Sequence, residues 1–403
     1  MSRILDISGR TFLGSVLTIA FPMALAHAAP QFRVLYSFQG GRDGGASVAG
    51  LVDDGLGNLY GTTSQGGRAC HRRGGCGVIF KIASDGSESV LYAFVGGGDG
   101  YDPEATLLRG PDGTLYGTTR KGGTGCSRHG CGTIFSLEPD GHKTTLFRFD
   151  KSLYGALPVD ALVMDKSGDL FGTTPQGGPA HYGTAFRLAP DGTYTILHAF
   201  DDGADGGYVY QGLLLDARGN LYGGSVGGGG NGGGDVYEIA AGGAFSILHT
   251  FVGQDGFGVD APLIKDSQGD LYGTTFKGGT DFNGGTVFKL AADGTETVLF
   301  DFNGASDGQY PNSALTVDAG GNFYGTTLQG GDFNKGTVYK LAPDGTQTVL
   351  YSFTGGSDGA YPFNGVIEKR GRLYGTTWQA GADLTQCGNV GCGTVYEISA
   401  IGD

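Results

Sequence analysis

Leu59-Tyr60-Gly61-Thr62-Thr63 is the first of seven copies of one pentapeptide, and the spacing of these copies decides the fold. The later copies begin at Leu115, Leu170, Leu221, Leu271, Phe323 and Leu373, at intervals of 50 to 56 residues. A repeat of this length is typical of proteins that stack one small structural unit many times. The sequence therefore predicts seven related units.

Each unit contains four short runs with the apolar alternation of β-strands. In the sixth unit run A covers residues 314–318 and the pentapeptide is run B; in the fifth unit run C covers residues 285–290 and run D residues 297–302. Run D usually follows an Asp-Gly pair, such as Asp293-Gly294, and this pair is preferred in two-residue hairpin turns. Four antiparallel strands per unit describe a β-propeller blade, so we predict an all-β, seven-bladed β-propeller of four-stranded antiparallel blades.

The two ends of the chain complement each other. A run of type D, residues 34–38, precedes the first complete unit, and the last unit ends after run C at residues 393–398. We therefore predict that the N-terminal strand completes the last blade and closes the ring. Residues 29–403 are expected to form a single seven-bladed propeller domain.

Glycine accounts for 82 of the 403 residues, a fraction that argues against helices because glycine costs a helix about 1 kcal/mol relative to alanine. Hydrophobic residues make up 39% and aromatic residues 11% of the chain, which is enough to form a packed core. The glycines are concentrated in the turns and in the repeated pentapeptide. The composition therefore indicates a turn-rich β protein.

The net charge of −14 disfavours nucleic-acid binding. At the N-terminus, Arg3 and Arg10 flank the start of an apolar run over residues 12–26, and Ala26-His27-Ala28 offers a small-x-small cleavage site. This order predicts a signal peptide over residues 1–28. A membrane anchor is the alternative, but the run is short and contains Pro22. With no later membrane span expected, we predict a secreted, extracellular or periplasmic protein after cleavage near Ala28.

The six cysteines form three local pairs, which predict three disulfides in an exported chain: Cys70 with Cys76, Cys126 with Cys131 and Cys387 with Cys392. Metal binding is the alternative, because His71 and His129 lie inside two of these loops. The third loop contains no histidine, and none of the loops has the two-residue spacing of zinc sites, which favours disulfides. Such short rings are expected to rigidify loops.

The repeat unit resembles the GloVer-type tandem repeat of exported bacterial proteins that carry a choice of C-terminal anchors. The resemblance covers residues 34–398 and rests on the motifs Gly-Asn-Leu-Tyr-Gly-Thr-Thr and Gly-Thr-Val-Phe. It implies an exported propeller with no established catalytic activity. The sequence ends at Asp403 without a hydrophobic anchor tail, which places attachment to a wall or membrane in doubt.

Run D holds an aromatic residue at one register, which we call the slot. The slot residues are Tyr36, Tyr92, Phe147, His198, His249, Phe300 and Tyr351. Since His198 and His249 share this register, we interpret them as slot residues rather than catalytic bases.

An Asp-Gly pair in the connection from run D to run A gives six candidate ligand-binding aspartates, which we call the turn aspartates: Asp43, Asp99, Asp205, Asp255, Asp307 and Asp358. An aromatic residue follows in five units, as Tyr101, Tyr208, Phe257, Tyr310 and Tyr361. These residues are candidates to bind a glycan or calcium at the mouth of the central channel. The alternative is that aspartate and glycine make the turn and tyrosine packs on a neighbouring blade, and the regularity of the pattern favours this alternative.

Two functions remain open. The first is a non-enzymatic scaffold, expected to be a monomer, that binds a glycan or an extracellular protein. The second is a secreted carbohydrate-active enzyme, a hydrolase or lyase, with its site at the channel mouth. The sequence favours the first, because a catalytic site is normally asymmetric among repeats and no catalytic residue or cofactor is indicated.

Overall fold

The computed structural model describes residues 29–399 except residues 68–69, 71–73, 124–125, 127–128, 231, 281–282 and 386. The predicted signal peptide lies outside the described residues. Seven four-stranded antiparallel sheets form a ring of blades, which confirms the predicted fold class. One 3-10 turn, Gly97–Asp99, is the helical element of the described chain, and the described residues include no helix with the length and hydropathy of a membrane span.

In blades 1 to 6 the strands run outward in chain order, from a two-residue inner strand to a six-residue outer strand. Blades 1 to 3 consist of β2 (Val52–Asp53), β3 (Leu59–Thr63), β4 (Val78–Ile82) and β5 (Glu88–Ala93); β6 (Leu108–Arg109), β7 (Leu115–Thr119), β8 (Thr133–Leu137) and β9 (Lys143–Arg148); and β10 (Val163–Met164), β11 (Leu170–Thr174), β12 (Thr184–Leu188) and β13 (Tyr194–Ala199).

Blades 4 to 6 consist of β14 (Leu214–Leu215), β15 (Leu221–Gly224), β16 (Asp235–Ile239) and β17 (Phe245–Thr250); β18 (Ile264–Lys265), β19 (Leu271–Thr275), β20 (Thr286–Leu290) and β21 (Glu296–Asp301); and β22 (Thr316–Val317), β23 (Phe323–Thr327), β24 (Thr337–Leu341) and β25 (Gln347–Ser352).

Blade 7 combines strands from both ends of the described chain. Its first three strands are β26 (Ile367–Glu368), β27 (Arg372–Thr376) and β28 (Thr394–Ser399), and its outer strand is β1 (Gln31–Ser37). The register of β1 on β28 runs from Gln31 opposite Ser399 to Ser37 opposite Thr394.

The glycine of the repeated pentapeptide pairs with an aromatic residue of the next strand in all seven blades. These pairs are Gly61 with Phe80, Gly117 with Phe135, Gly172 with Phe186, Gly223 with Tyr237, Gly273 with Phe288, Gly325 with Tyr339 and Gly375 with Tyr396. A Cβ at Gly61 would lie 2.6 Å from Phe80 Cζ. Glycine is therefore required for the ring to lie against the backbone of the neighbouring strand.

The same aromatic rings join consecutive blades. Each ring lies 5.1–5.5 Å, centroid to centroid, from a phenylalanine that follows the outer strand of the preceding blade, and most of these pairs meet edge to face. Phe38 contacts Phe80 across the boundary between blades 7 and 1, and both are almost fully buried. The hydrophobic core is thus a ring of clusters between blades.

The two histidines occupy the aromatic slot, as the sequence analysis interpreted them. His198 pairs with Ala185 and His249 with Val236, the register at which Tyr92 pairs with Ile79 in blade 1. The His198 ring stacks on Phe245 of the next blade with centroids 3.7 Å apart.

The predicted disulfides are present as Cys70–Cys76, Cys126–Cys131 and Cys387–Cys392, and no described cysteine is free. All three lie in connections between the second and third strands of blades 1, 2 and 7, which are consecutive around the ring. Disulfides of this kind are typical of exported proteins.

We expect Gly273→Ala to lower the free energy of unfolding by about 1–3 kcal/mol, because an inserted methyl group overpacks the core. Its Cβ would lie 2.7 Å from Leu263 Cδ2 and 2.8 Å from Phe288 Cζ. Gly242→Ala is the matched control, since a Cβ there meets no atom within 4 Å and its φ is not positive. Denaturant unfolding of both variants measures the difference, and equal stability of the two variants would contradict the packing role.

Candidate functional site

The six turn aspartates are bonded to the ends of the outer strands. Each accepts a backbone N–H bond from a residue three or four positions earlier; the donors are Gln39, Val95, Asp201, Val252, Asn303 and Thr354, at 2.7–3.2 Å. Five of the six also bond the slot residue, as in Tyr36 Oη to Asp43 Oδ2 at 3.0 Å and His198 Nε2 to Asp205 Oδ2 at 2.7 Å. These hydrogen bonds are the ones expected if the aspartates stabilise the turn after the outer strand. A role for these residues in binding a glycan or calcium stays a prediction.

Three of the predicted tyrosines share a left-handed backbone. Tyr208, Tyr310 and Tyr361 have φ of 56°, 60° and 56°. The N–H of each donates to a carbonyl oxygen of the preceding blade, such as Tyr310 N to Gly284 O at 3.0 Å. Their side chains also reach that blade, since Tyr310 stacks on Phe276 and Tyr361 Oη accepts a bond from Lys335 Nζ at 2.7 Å.

Every unit repeats this bond between blades. The register holds Ala46, Asp102, Leu157, Tyr208, Gly258, Tyr310 and Tyr361, all with positive φ, and each N–H donates to the preceding blade. A left-handed conformation in six non-glycine residues is unusual and costly. The recurring bond explains this conformation. It points the N–H group of the segment before each inner strand at a carbonyl oxygen of the preceding blade.

Tyr101 stands one register earlier and is almost fully buried. Its N–H and carbonyl group pair with Lys121, and its Oη lies 3.3 Å from His129 Nδ1. Phe257 occupies the same register in blade 5, where its ring is exposed.

A cavity of about 530 Å³ opens at the end of the channel, and all seven units line it. We call it the mouth cavity. The residue two positions after the left-handed one contributes from every unit: Val48, Glu104, Val159, Tyr210, Asp260, Asn312 and Phe363. No turn aspartate is among its lining residues. The chemistry of the cavity therefore comes from a register that differs in almost every unit.

The segments that lead into the inner strands are hydrogen-bonded to one another at this cavity, which Val48, Asp160 and Asn364 line. Gly50 N donates to Thr106 Oγ1 at 2.8 Å, and Asn364 Nδ2 lies 3.4 Å from Val48 O, so units 7, 1 and 2 are bonded together at the axis. On the opposite side Gly212 N donates to Asp160 Oδ2 at 2.7 Å. These contacts fix the positions of Asp160 and Asn364 in the cavity wall.

Four acidic and two basic side chains line the mouth cavity. Arg120 lies 3.2 Å from Glu104, and Lys121 lies 2.6 Å from Asp102, each pair measured between charged atoms. Among the described residues, no Lys or Arg forms an ion pair with Asp160 or Asp260. Burial raises the pKa of Asp160 to about 6, and burial together with the charge of Asp160 raises the pKa of Asp260 to about 7. Both carboxyl groups therefore titrate closer to neutrality than an exposed aspartate does.

Three aromatic side chains face the same cavity with a third or more of their surface exposed: Tyr210 (36%), Phe363 (39%) and Trp378 (37%). Trp378 follows the pentapeptide of unit 7, at the position that Arg120 holds in unit 2. The Phe363 and Trp378 rings lie 6.5 Å apart at 72°. Exposed rings in a concave polar site are typical of ligand contact.

The first and third disulfide loops border this site. A second cavity of about 650 Å³ is lined by Gly74 and Gly75 of the first loop and by Cys387 and Gly388 of the third. It shares Ser64, Gln65, Asp102 and Lys121 with the mouth cavity. The rigid loops thus extend the mouth cavity on one side.

A ring of seven four-stranded blades with a cavity at its axis defines the class of β-propellers. The family model of the Gloeobacter/Verrucomicrobia repeat matches residues 18–237 and 209–403, so the chain belongs to this repeat family. The family resemblance found in the repeat unit is thereby confirmed. No curated protein matches the sequence.

Solved propellers share the fold at low identity. The extracellular domain of BT4673, a proposed hybrid two component system from B. thetaiotaomicron, matches with a TM-score of 0.58 and 11% identity over 91% of this chain. This chain spans 39% of that one. PorZ, a surface component of the type-IX secretion system of Porphyromonas gingivalis, matches with a TM-score of 0.50 and 16% identity over 82% of this chain and 45% of PorZ.

A gluconolactonase from Xanthomonas campestris, XC5397, matches with a TM-score of 0.42 and 15% identity over 74% of this chain and 87% of that one. All three likenesses concern the fold.

Sequence reasoning missed the residues that give the mouth cavity its character, among them Asp160, Tyr210, Asp260 and Trp378. These residues do not recur from unit to unit, so no repeated motif marks them. The signal was a pair of fixed registers, one beside run A and one after the pentapeptide, at which almost every unit carries a different side chain.

We expect Asp260→Asn to raise the free energy of unfolding by about 2 kcal/mol at pH 8 and to have little effect at pH 4. The folded-state pKa lies above the unfolded one, so wild-type stability falls as pH rises from about 4 to 7, and the amide removes this loss. Asp332→Asn at an exposed position is the control. Urea unfolding across this pH range gives the answer, and a pH-independent difference would count against the raised pKa.

Proposed function

We propose that the protein is an exported, non-enzymatic propeller that binds a glycan in the mouth cavity. The observation that carries this proposal is the meeting of three exposed aromatic rings with carboxylates, amides and cations at positions that differ from unit to unit. Residues that maintain the repeat have the same contacts in almost every unit, whereas Tyr210, Phe363 and Trp378 each keep a third or more of their surface exposed in the cavity.

The chemistry of the cavity suits a sugar. A sugar ring presents apolar C–H faces, which pack on aromatic rings such as Trp378 and Tyr210, and hydroxyl groups, which both donate and accept hydrogen bonds. Asp160 and Asn312 offer acceptors, and Asn312 Oδ1 is buried without a hydrogen-bond partner among the described residues. A volume of about 530 Å³ lies in the usual range of ligand pockets.

The charges favour a neutral ligand. Arg120 and Lys121 are each paired with a carboxylate of the cavity, and Asp160 and Asp260 add negative charge. A polyanion would meet uncompensated carboxylates on one side of the site. We therefore expect a neutral oligosaccharide rather than a sulfated or phosphorylated one.

Export and an extracellular location rest on three supports. They are the predicted leader over residues 1–28, the three disulfides, and the shared fold of a solved extracellular domain. Together they support an extracellular location for the proposed glycan site.

We expect Trp378→Ala to weaken glycan binding at least tenfold, because it removes the largest apolar face in the cavity. Phe333→Ala is the matched control, since this exposed ring lies outside the lining residues. The mature protein and both variants are tested on an oligosaccharide array and then by calorimetry with the best ligand. Absence of any glycan ligand, or equal affinity of the Trp378 variant, would refute the proposal.

Asp160 and Asp260 support a second candidate, a carbohydrate-active enzyme. Two neighbouring carboxyl groups with raised pKa values near neutrality resemble the acid and base of a glycoside hydrolase.

Under this alternative the mature protein would release reducing ends from a bound glycan, and Asp260→Asn would abolish release while leaving glycan affinity within about twofold. Under the binding function, product analysis after prolonged incubation shows intact glycan with wild type and variant alike.

A further inference from the structure

Three side chains meet at the outer edge of each boundary between blades: the slot residue, the residue of the connection that follows it, and one near the start of the next outer strand. The trios are Tyr36, Asp43 and Glu88; Tyr92, Asp99 and Lys143; Phe147, Tyr154 and Tyr194; His198, Asp205 and Phe245; His249, Asp255 and Glu296; Phe300, Asp307 and Gln347; and Tyr351, Asp358 and Phe32.

At most boundaries two side chains of the trio stack on each other or form an ion pair. Rings stack at three of them, with centroids 3.8 Å apart for Phe32 and Tyr351 and 4.3 Å for Phe147 and Tyr194. An ion pair serves another, in which Lys143 Nζ lies 2.7 Å from Asp99 Oδ1. The same three registers therefore meet at every boundary, but the side chains at these registers differ and so do the interactions that they form.

The boundary between blades 4 and 5 joins one imidazole to two carboxylates. His249 Nε2 lies 3.0 Å from Asp255 Oδ2, and one ligand atom from each of His249, Asp255 and Glu296 lies within 4.8 Å of the others. Within the described ranges, this is the cluster that brings three such groups together.

Glu296 has a carboxylate oxygen that the described part of the protein leaves unpartnered, a feature it shares with Glu88 at the boundary between blades 7 and 1, where the slot residue is Tyr36 instead of a histidine. The Oε1 atom of Glu296 is fully buried and has no hydrogen-bond partner among the described residues. No Lys or Arg forms an ion pair with Glu296 in the described chain, whereas Lys143 occupies the corresponding position at the boundary between blades 1 and 2.

We propose that His249, Asp255 and Glu296 bind a divalent ion of the zinc class. Zinc takes an imidazole nitrogen and carboxylate oxygens at about 2.0–2.2 Å, which sets neighbouring ligand atoms about 3.3 Å apart in a tetrahedron. The 3.0 Å between His249 Nε2 and Asp255 Oδ2 is close to this spacing. A carboxylate oxygen of Glu296 lies within 4.8 Å of both atoms and would have to approach them to take the third position.

The ligand set selects the ion. Imidazole favours zinc and its neighbours over calcium, which prefers six to eight oxygen ligands. The side chains of His249 and Asp255 are 20% and 17% exposed, so the ion can enter from solvent and a water can complete its shell. The ligands come from β17, from the connection after it and from β21. The ion would therefore tie blade 4 to blade 5.

The test is calorimetry with zinc chloride on the mature protein after any affinity tag has been removed. We expect one zinc site and a higher Tm with zinc than with a chelator. Glu296→Gln and His249→Tyr are expected to weaken zinc binding at least tenfold. Both substitutions reproduce residues that other boundaries use at these registers, Gln347 and Tyr36, so the fold should tolerate them.

Glu88→Gln is the matched control. Glu88 has the register of Glu296 and a pKa raised to about 7 by burial and by Asp43, but its slot partner is Tyr36 instead of histidine. We expect this variant to bind zinc as wild type does. Without zinc, Glu296→Gln should melt at or above the wild-type temperature at pH 8, because it removes a like charge, and this separates loss of the ion from misfolding.

Three results would overturn the proposal: no zinc binding to the wild-type chain, equal zinc affinity of wild type and Glu296→Gln, or an equal loss in Glu88→Gln. Calcium in place of zinc provides the check on ion class, and equal protection by calcium would overturn the assignment of that class.

Discussion

The propeller depends on the contact between a glycine of the second strand and an aromatic side chain of the third strand in each blade. This contact shapes the sheet and also holds neighbouring blades together. Because Gly61 and its six equivalents lack a Cβ, the ring of the third strand lies across the second strand. The same ring then reaches the phenylalanine that ends the outer strand of the preceding blade, as Phe80 reaches Phe38. A side chain in place of this glycine would disturb the sheet and the boundary between blades together.

Around this invariant framework the protein separates positions that hold the fold from positions that are free to differ. The turn aspartates, the slot residues and the pentapeptide have partners in almost every unit. The mouth cavity, in contrast, draws Glu104, Tyr210 and Phe363 from one register, and no two of these share their chemistry. Seven copies of one unit thereby produce an asymmetric site, which a symmetric ring of identical side chains would not provide.

The fold could be predicted from the sequence because the number of strands, the turn residues and the unit length all repeat. The pairing of Cys126 with Cys131 could be predicted because the cysteines occur in pairs that are close in the sequence. The site could not be predicted, since its residues approach one another only when seven distant segments meet at the axis. Asp160 and Asp260 are 100 positions apart, and the burial that raises their pKa values exists only in the assembled ring. Residues that repeat in every unit therefore predict the fold, and registers at which the units differ contain the residues that line the mouth cavity.

The left-handed residue before each inner strand has a further consequence. Its bond to the preceding blade runs from main chain to main chain, so the neighbour is recognised by backbone geometry and not by the identity of a side chain. Alanine, aspartate, leucine, glycine and tyrosine all serve at this register. The residues that line the mouth cavity can therefore differ from unit to unit while the bond between neighbouring blades stays the same.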